Sequence, residues 1–113
     1  MDQHFIKNID FKKALNLTTL VDYQAGQVVS RTLAQGKSLS LTLFAFDEGE
    51  EISSHSSSGD AMVLITDGEA EITIGAEKFR LKKDETIIMP AGIPHALLAV
   101  KRFKMFLVVV FNP

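Results

Sequence analysis

Cysteine is absent from all 113 residues, which excludes disulfides, a thiolate nucleophile and a zinc-thiolate site. Charge of one sign is scarce as well: 12 Lys and Arg stand against 14 Asp and Glu, for a formal net charge of -2. The basic pairs Lys12-Lys13, Lys82-Lys83 and Lys101-Arg102 are separated by acidic neighbours. The continuous basic stripe that a phosphate backbone needs is missing, and no nucleic-acid partner is expected. The longest apolar run, Met105 to Phe111, is far shorter than the roughly 20 residues of a membrane-spanning helix. The opening Met1 to Lys7 has neither the basic start nor the unbroken apolar core of a signal peptide. A soluble cytoplasmic protein without a membrane partner is expected. Nothing in the serine cluster Ser53, Ser54, Ser56, Ser57 and Ser58 forms a nucleophile elbow, and no nearby carboxylate is evident to orient a histidine base. Hydrolysis is therefore disfavoured, and a solvated turn is the simpler reading.

What remains is a length suited to one domain around one hydrophobic core. From residue 17 onward, turn residues at Gln24-Ala25-Gly26, Gln35-Gly36-Lys37, Asp47-Glu48-Gly49, Asp67-Gly68, Gly75-Ala76 and Ala91-Gly92 divide the chain into short runs. The runs are 27–34, 38–46, 61–66, 69–74, 78–81, 86–89, 95–99 and 101–111, enough for two facing sheets in an all-β sandwich or barrel. Alternation in Glu69 to Ile74 places Ala70, Ile72 and Ile74 inward and Glu69, Glu71 and Thr73 outward. Asp67-Gly68 reads as a hairpin turn. Phe103 to Phe111 is apolar at almost every position and is expected to be buried on both faces. Residues 1–16 differ: Phe5, Ile6, Ile9, Phe11, Ala14 and Leu15 recur irregularly, consistent with a helical turn and a loop that leads into an edge strand over 18–23.

Two stretches carry a family resemblance. Gly49 to Gly68 resembles the first motif of the cupin superfamily, G(x)5HxH(x)3-4E(x)6G, with His55 on the first histidine, Ser57 on the second, Ala61 on the glutamate and Gly68 on the closing glycine. Asp84 to Ala99 resembles the second motif, G(x)5PxGxxH(x)3N: Pro90, Gly92 and His95 match, while Asp84 replaces the first glycine and Ala99 the asparagine. The resemblance implies a cupin-type double-stranded β-helix, or jelly-roll barrel, over residues 17–113 with an N-terminal arm at 1–16. It also implies a homodimer in which that arm crosses to a neighbour.

In such barrels the motif side chains point into the mouth, so the resemblance implies that His55 and His95 do too. Imidazole is a ligand for zinc, nickel, iron, manganese or copper, and Asp60 is the nearest oxygen donor in sequence. Strand alternation puts Ala61, not Asp60, on the ligand face, but a bulge at Gly59 would reverse that. The bland alternative is that Asp60 caps the turn formed by Ser56 to Gly59. His55 reads either as a pocket residue or as a loop histidine bonded to a serine or a carbonyl. His95 follows a turn fixed by Pro90 and Gly92 and ranks above it as a pocket residue. The same register adds Ser57, Ala61, Val63, Ile65, Leu97 and Ala99 to a mostly apolar interior. Phe44 and Phe46 face away from Leu41 and Leu43 and are candidates to plug it.

Three functions follow from this pattern. One is a small-molecule-binding barrel whose histidines fix the polar end of an apolar or aromatic ligand, with a weakly held divalent transition metal as an optional cofactor. Another is a metal-dependent dioxygenase or isomerase on His55, His95 and a further ligand, for which three protein ligands are the usual minimum. The last is a non-catalytic dimeric structural or regulatory module. The pattern does not name the ligand, the metal or a reaction.

Overall fold

The computed structural model describes residues 4–113; Met1 to Gln3, the start of the expected arm, lie outside the described residues. Seven strands follow a short 3-10 helix at Leu17–Thr19: β1 (Val28–Gln35), β2 (Leu39–Phe46), β3 (Glu51–His55), β4 (Asp60–Ile74), β5 (Glu77–Lys82), β6 (Thr86–Met89) and β7 (His95–Val110). All pairings are antiparallel, in the order β1-β2-β7-β4-β5, with β3 added to β7 and β6 added to β4. No helix among the described residues is long and apolar enough to cross a membrane.

The two long strands organise the architecture. The first half of β4 pairs with the second half of β7, flanked by β2 and β6; the second half of β4 pairs with the first half of β7, flanked by β3 and β5. Each long strand therefore belongs to both layers. The register slips between Ile65 and Asp67 and again between Gly68 and Ala70, opposite Lys104 and Phe103. These bulges bend the strand from one layer to the other. Asp67-Gly68, which reads as a hairpin turn, lies at this bend inside β4. Gly68 has φ +76°, and a Cβ there would run into the carbonyl oxygen of Arg102. The signal for a left-handed residue is real, but a neighbouring strand uses it.

Further expectations change. Runs 95–99 and 101–111 join into the single strand β7, in which odd positions face the core on either side of the exposed Lys101: Leu97, Ala99, Phe103, Met105 and Val109 are buried, whereas Val110 is 56% exposed. Burial on both faces is thus only partial. In place of an edge strand at 18–23 there is the 3-10 helix, whose Asn16 cap accepts hydrogen bonds from the Thr18 N–H and hydroxyl at 3.1 and 2.6 Å. The segment before it has no helical turn among residues 4–16; it bends at Asn8 and Lys12, both with φ near +60°.

Two apolar clusters result. The interior one contains Phe46, Val63, Ile65, Ile72, Phe103 and Met105, with the rings of Phe46 and Phe103 stacked at 4.4 Å. The other lies outside β1 and β2, where Leu33, Leu43 and Ala45 are covered by Ile9, Leu17, Leu20, Val21 and Tyr23. Arg31 ties this cover down by donating to the carbonyls of Asn8 and Leu20, both at 2.6 Å. Across the bend, the Tyr23 hydroxyl donates to Asp67 at 2.6 Å, with the Arg102 and Lys104 cations 4.6 and 4.9 Å from its ring centre.

Candidate functional site

His55 ends β3 and His95 begins β7, and the two are direct cross-strand partners. Their rings meet edge to face, with centroids 4.4 Å apart and an interplanar angle of 71°. The ladder slips between Ile52 and His55, and there the Ser53 carbonyl accepts a hydrogen bond from His55 Nδ1 at 3.0 Å. Since a carbonyl only accepts, Nδ1 carries the proton, and in the neutral ring Nε2 offers a lone pair. His55 therefore shows both features proposed for it: a local carbonyl partner and a position on the cavity. The Ser-rich segment expected as a loop is a strand as far as His55.

The loops beside the histidines are locked together. The Gly92 N–H donates to the Ser57 carbonyl at 2.8 Å, and the Ser57 hydroxyl accepts from the Gly59 N–H at 3.1 Å. Gly92 adopts φ +78°, the backbone freedom its place after Pro90 suggested. Asp60 accepts from the Ala91 N–H at 2.8 Å, so this carboxylate clamps the 90–92 turn instead of reaching the histidines or capping its own loop. There is no slip at Gly59: Asp60 pairs with Val110 and Ala61 with Val109 in step. Glycine is required for a different reason, since a Cβ would stand 2.6 Å from the Val110 carbonyl oxygen.

The histidines border a cavity of about 330 Å³. Its polar side consists of His55, Ser56, Ser57 and His95; the remaining wall is Phe44, Ile52, Ala61, Met89, Leu97, Met105, Leu107 and Val109. Among the described residues no Lys, Arg, Asp or Glu lines it. The four ligand positions of the motifs, 55, 57, 61 and 95, converge on this space, but only two hold donors of the ligating type. Val63, Ile65 and Ala99, expected on the wall, belong to the packed core together with the stacked Phe46 and Phe103. Phe44 narrows the cavity, whereas Phe46 lies in that core. The wall residues Met105, Leu107 and Val109 escaped the sequence reading although they continue the odd-numbered series of His95 and Leu97. Ile52 and Met89 were missed too, and parity along their short strands was the only signal.

His95 is 4% exposed, and its Nδ1 has no hydrogen-bond partner in the structure. Burial, and next the neighbouring His55, push its pKa below the ordinary value of 6.5; the Ile93 backbone pulls the other way. The ring is held neutral. Among the described residues no three His, Asp or Glu side chains come together as a metal-holding group. Two imidazoles beside a serine and an alanine do not fit a site that binds its metal through three protein ligands.

Comparison with known proteins follows the same lines. The family model for the Cupin domain matches residues 42–111. A crystal structure of a conserved protein of unknown function from Streptococcus pyogenes is similar at 51% identity, covering 98% of this chain and 97% of that one, with a TM-score of 0.96. A cupin superfamily protein from Desulfitobacterium hafniense is 34% identical over 95% of this chain and 98% of its own, with a TM-score of 0.90. An uncharacterised protein of Streptomyces coelicolor is 27% identical over 77 residues, 68% of this chain and 72% of that protein.

Proposed function

This chain belongs to the cupin family, and from that premise we propose that it is a small-molecule-binding barrel, with the cavity beside His55 and His95 as its site. One observation carries the proposal: about 330 Å³ of space with uncharged walls, bordered by two histidines. Buried apolar walls of this kind favour an apolar body. The imidazoles and the hydroxyls of Ser56 and Ser57 supply the polar contacts at one end. Positions 57 and 61, where the motif has its other ligands, hold a hydroxyl and a methyl group, which suits an organic occupant better than an ion.

The test is to fill the cavity. Calorimetric titration with small neutral aromatic and aliphatic probes should detect binding to the wild type and lose it in Leu107→Trp, whose indole would occupy the space. Binding that survives this substitution would place the ligand elsewhere. The short distance between the two rings supports a second reading, a divalent ion held by two imidazoles and solvent oxygens. Titration of zinc or nickel into wild type and into the double variant His55→Ala, His95→Gln distinguishes the two: stoichiometric uptake by the wild type alone favours the ion.

The proposed protein partner is a second copy of the chain. The outer face over β2, β7, β4 and β6 carries Leu41, Val108, Met62 and Ile88 in one paired row and Leu39, Val110 and Asp60 in the next. Leu39, Met62, Ile88 and Val110 are each more than two-fifths exposed. A flat apolar face of this kind suits two-fold self-association. Light scattering should show a dimer that Met62→Glu with Val110→Glu converts to monomer; a monomeric wild type would refute the assignment.

A further inference from the structure

We propose that the ligand is a neutral single-ring aromatic bearing a hydroxyl group, a phenol and not a carboxylate or phosphate; this deepens the ligand-binding reading above and rests on it. Four features of the cavity point there. Its volume, about 330 Å³, is roughly twice the ~150 Å³ of an apolar cavity that binds benzene, so a ring with its substituents enters with room to spare. Its lining includes no Lys, Arg, Asp or Glu, so an anion or a cation would be stripped of water without a counter-charge.

The wall chemistry selects a ring. Phe44 presents an aromatic side chain, and Met89 and Met105 bring thioethers to the same space. Aromatic ligands gain from both, through ring-to-ring packing and sulfur contacts at the ring edge. An aliphatic body of equal size gains only area.

The polar end selects a donor. His55 spends its Nδ1–H on the Ser53 carbonyl, so the nitrogen left to accept from a ligand is Nε2. Beside it, His95 is almost wholly buried, and burial favours the uncharged form of that imidazole. To the His55 Nε2 lone pair a carboxylate offers no proton, whereas a phenol offers an acidic O–H. Phenols remain protonated at neutral pH, as the tyrosine side chain does, and so bring no charge into the cavity.

Calorimetry on the full chain at pH 7.5 tests the assignment with four probes of similar size: 4-methylphenol, toluene, 4-methylbenzoate and cyclohexanol. The phenol should bind about tenfold more tightly than toluene, the worth of one good hydrogen bond, and more tightly than cyclohexanol, which keeps the hydroxyl but lacks the ring contacts, and than the charged 4-methylbenzoate. His55→Ala, at an exposed position, should narrow the gap between phenol and toluene to about twofold or less. The phenol assignment is overturned, with the ligand pocket intact, if toluene or cyclohexanol equals the phenol in the wild type or if the carboxylate binds best. It is also overturned if the preference for phenol survives both His55→Ala and His95→Gln. Failure of all four probes at millimolar concentration would overturn the pocket itself.

Discussion

Restoring the two missing ligands should turn the cavity into a metal site. Ala61 is 2% exposed and lines the cavity, so Ala61→Glu alone brings a carboxylate into an apolar space without a partner. The effective penalty for such an ion is several kcal/mol. At about 4 °C or more per kcal/mol in a domain near this size, the single variant should melt at least ~10 °C below the wild type. Adding Ser57→His then surrounds one space with imidazoles at positions 55, 57 and 95 and a carboxylate at position 61. Zinc or nickel at about a thousand times its dissociation constant would return ~4 kcal/mol, and most of the lost melting temperature with it. Differential scanning calorimetry with and without chelator reads both effects. A double variant that folds, by circular dichroism, but gives no thermal response to millimolar metal would refute the convergence of positions 55, 57, 61 and 95.

Other perturbations address the groups that hold the site. The depressed pKa of His95 means that the unfolded chain takes up its proton first as pH falls below 6.5. The contribution is therefore complete above 6.5 and is lost as pH falls toward the lower folded value. Urea denaturation should show lower stability at pH 5.5 than at 7.5, with a smaller difference in His95→Gln; an unchanged difference would remove His95 as its source. Gly68→Ala should destabilise by at least ~3 kcal/mol, because a clash with the Arg102 carbonyl adds to the strained φ. Gly26→Ala, with φ +69° but open space around it, should cost only about 1–2 kcal/mol; equal losses in denaturant melts would count against a close approach at the bend. Asp60→Ala frees the Ala91 N–H and should cost about 1 kcal/mol without changing any metal response, whereas altered metal uptake would restore Asp60 as a ligand.

Most of the fold and part of the site could be read from the residues. Turn punctuation and alternation located nearly every strand, and Pro90, Gly92 and His95 located a turn and a histidine at the edge of the cavity, because such residues constrain the backbone locally. The continuity of β4 and β7 could not be read. Gly68 has the φ of a turn residue but is selected by the close approach of Arg102, a contact between segments far apart in sequence. Dividing β7 near Val100 stopped the inward series at Ala99 and so concealed Met105, Leu107 and Val109. Asp60 had two local readings and took neither, since its partner Ala91 is 31 residues away. Where the cavity ends is a matter of volume: Val63, Ile65 and Ala99 have the parity of wall residues but pack into the core with Phe46 and Phe103.

The most direct test of a ligand site at the histidine pair is a long-range 1H–15N spectrum of the imidazole rings, recorded with and without saturating 4-methylphenol. Ring resonances of His55 and His95 should move, while those of His4, which packs on Phe11 with ring centres 4.3 Å apart, stay in place. Bound ligand with His95 unmoved would contradict the site.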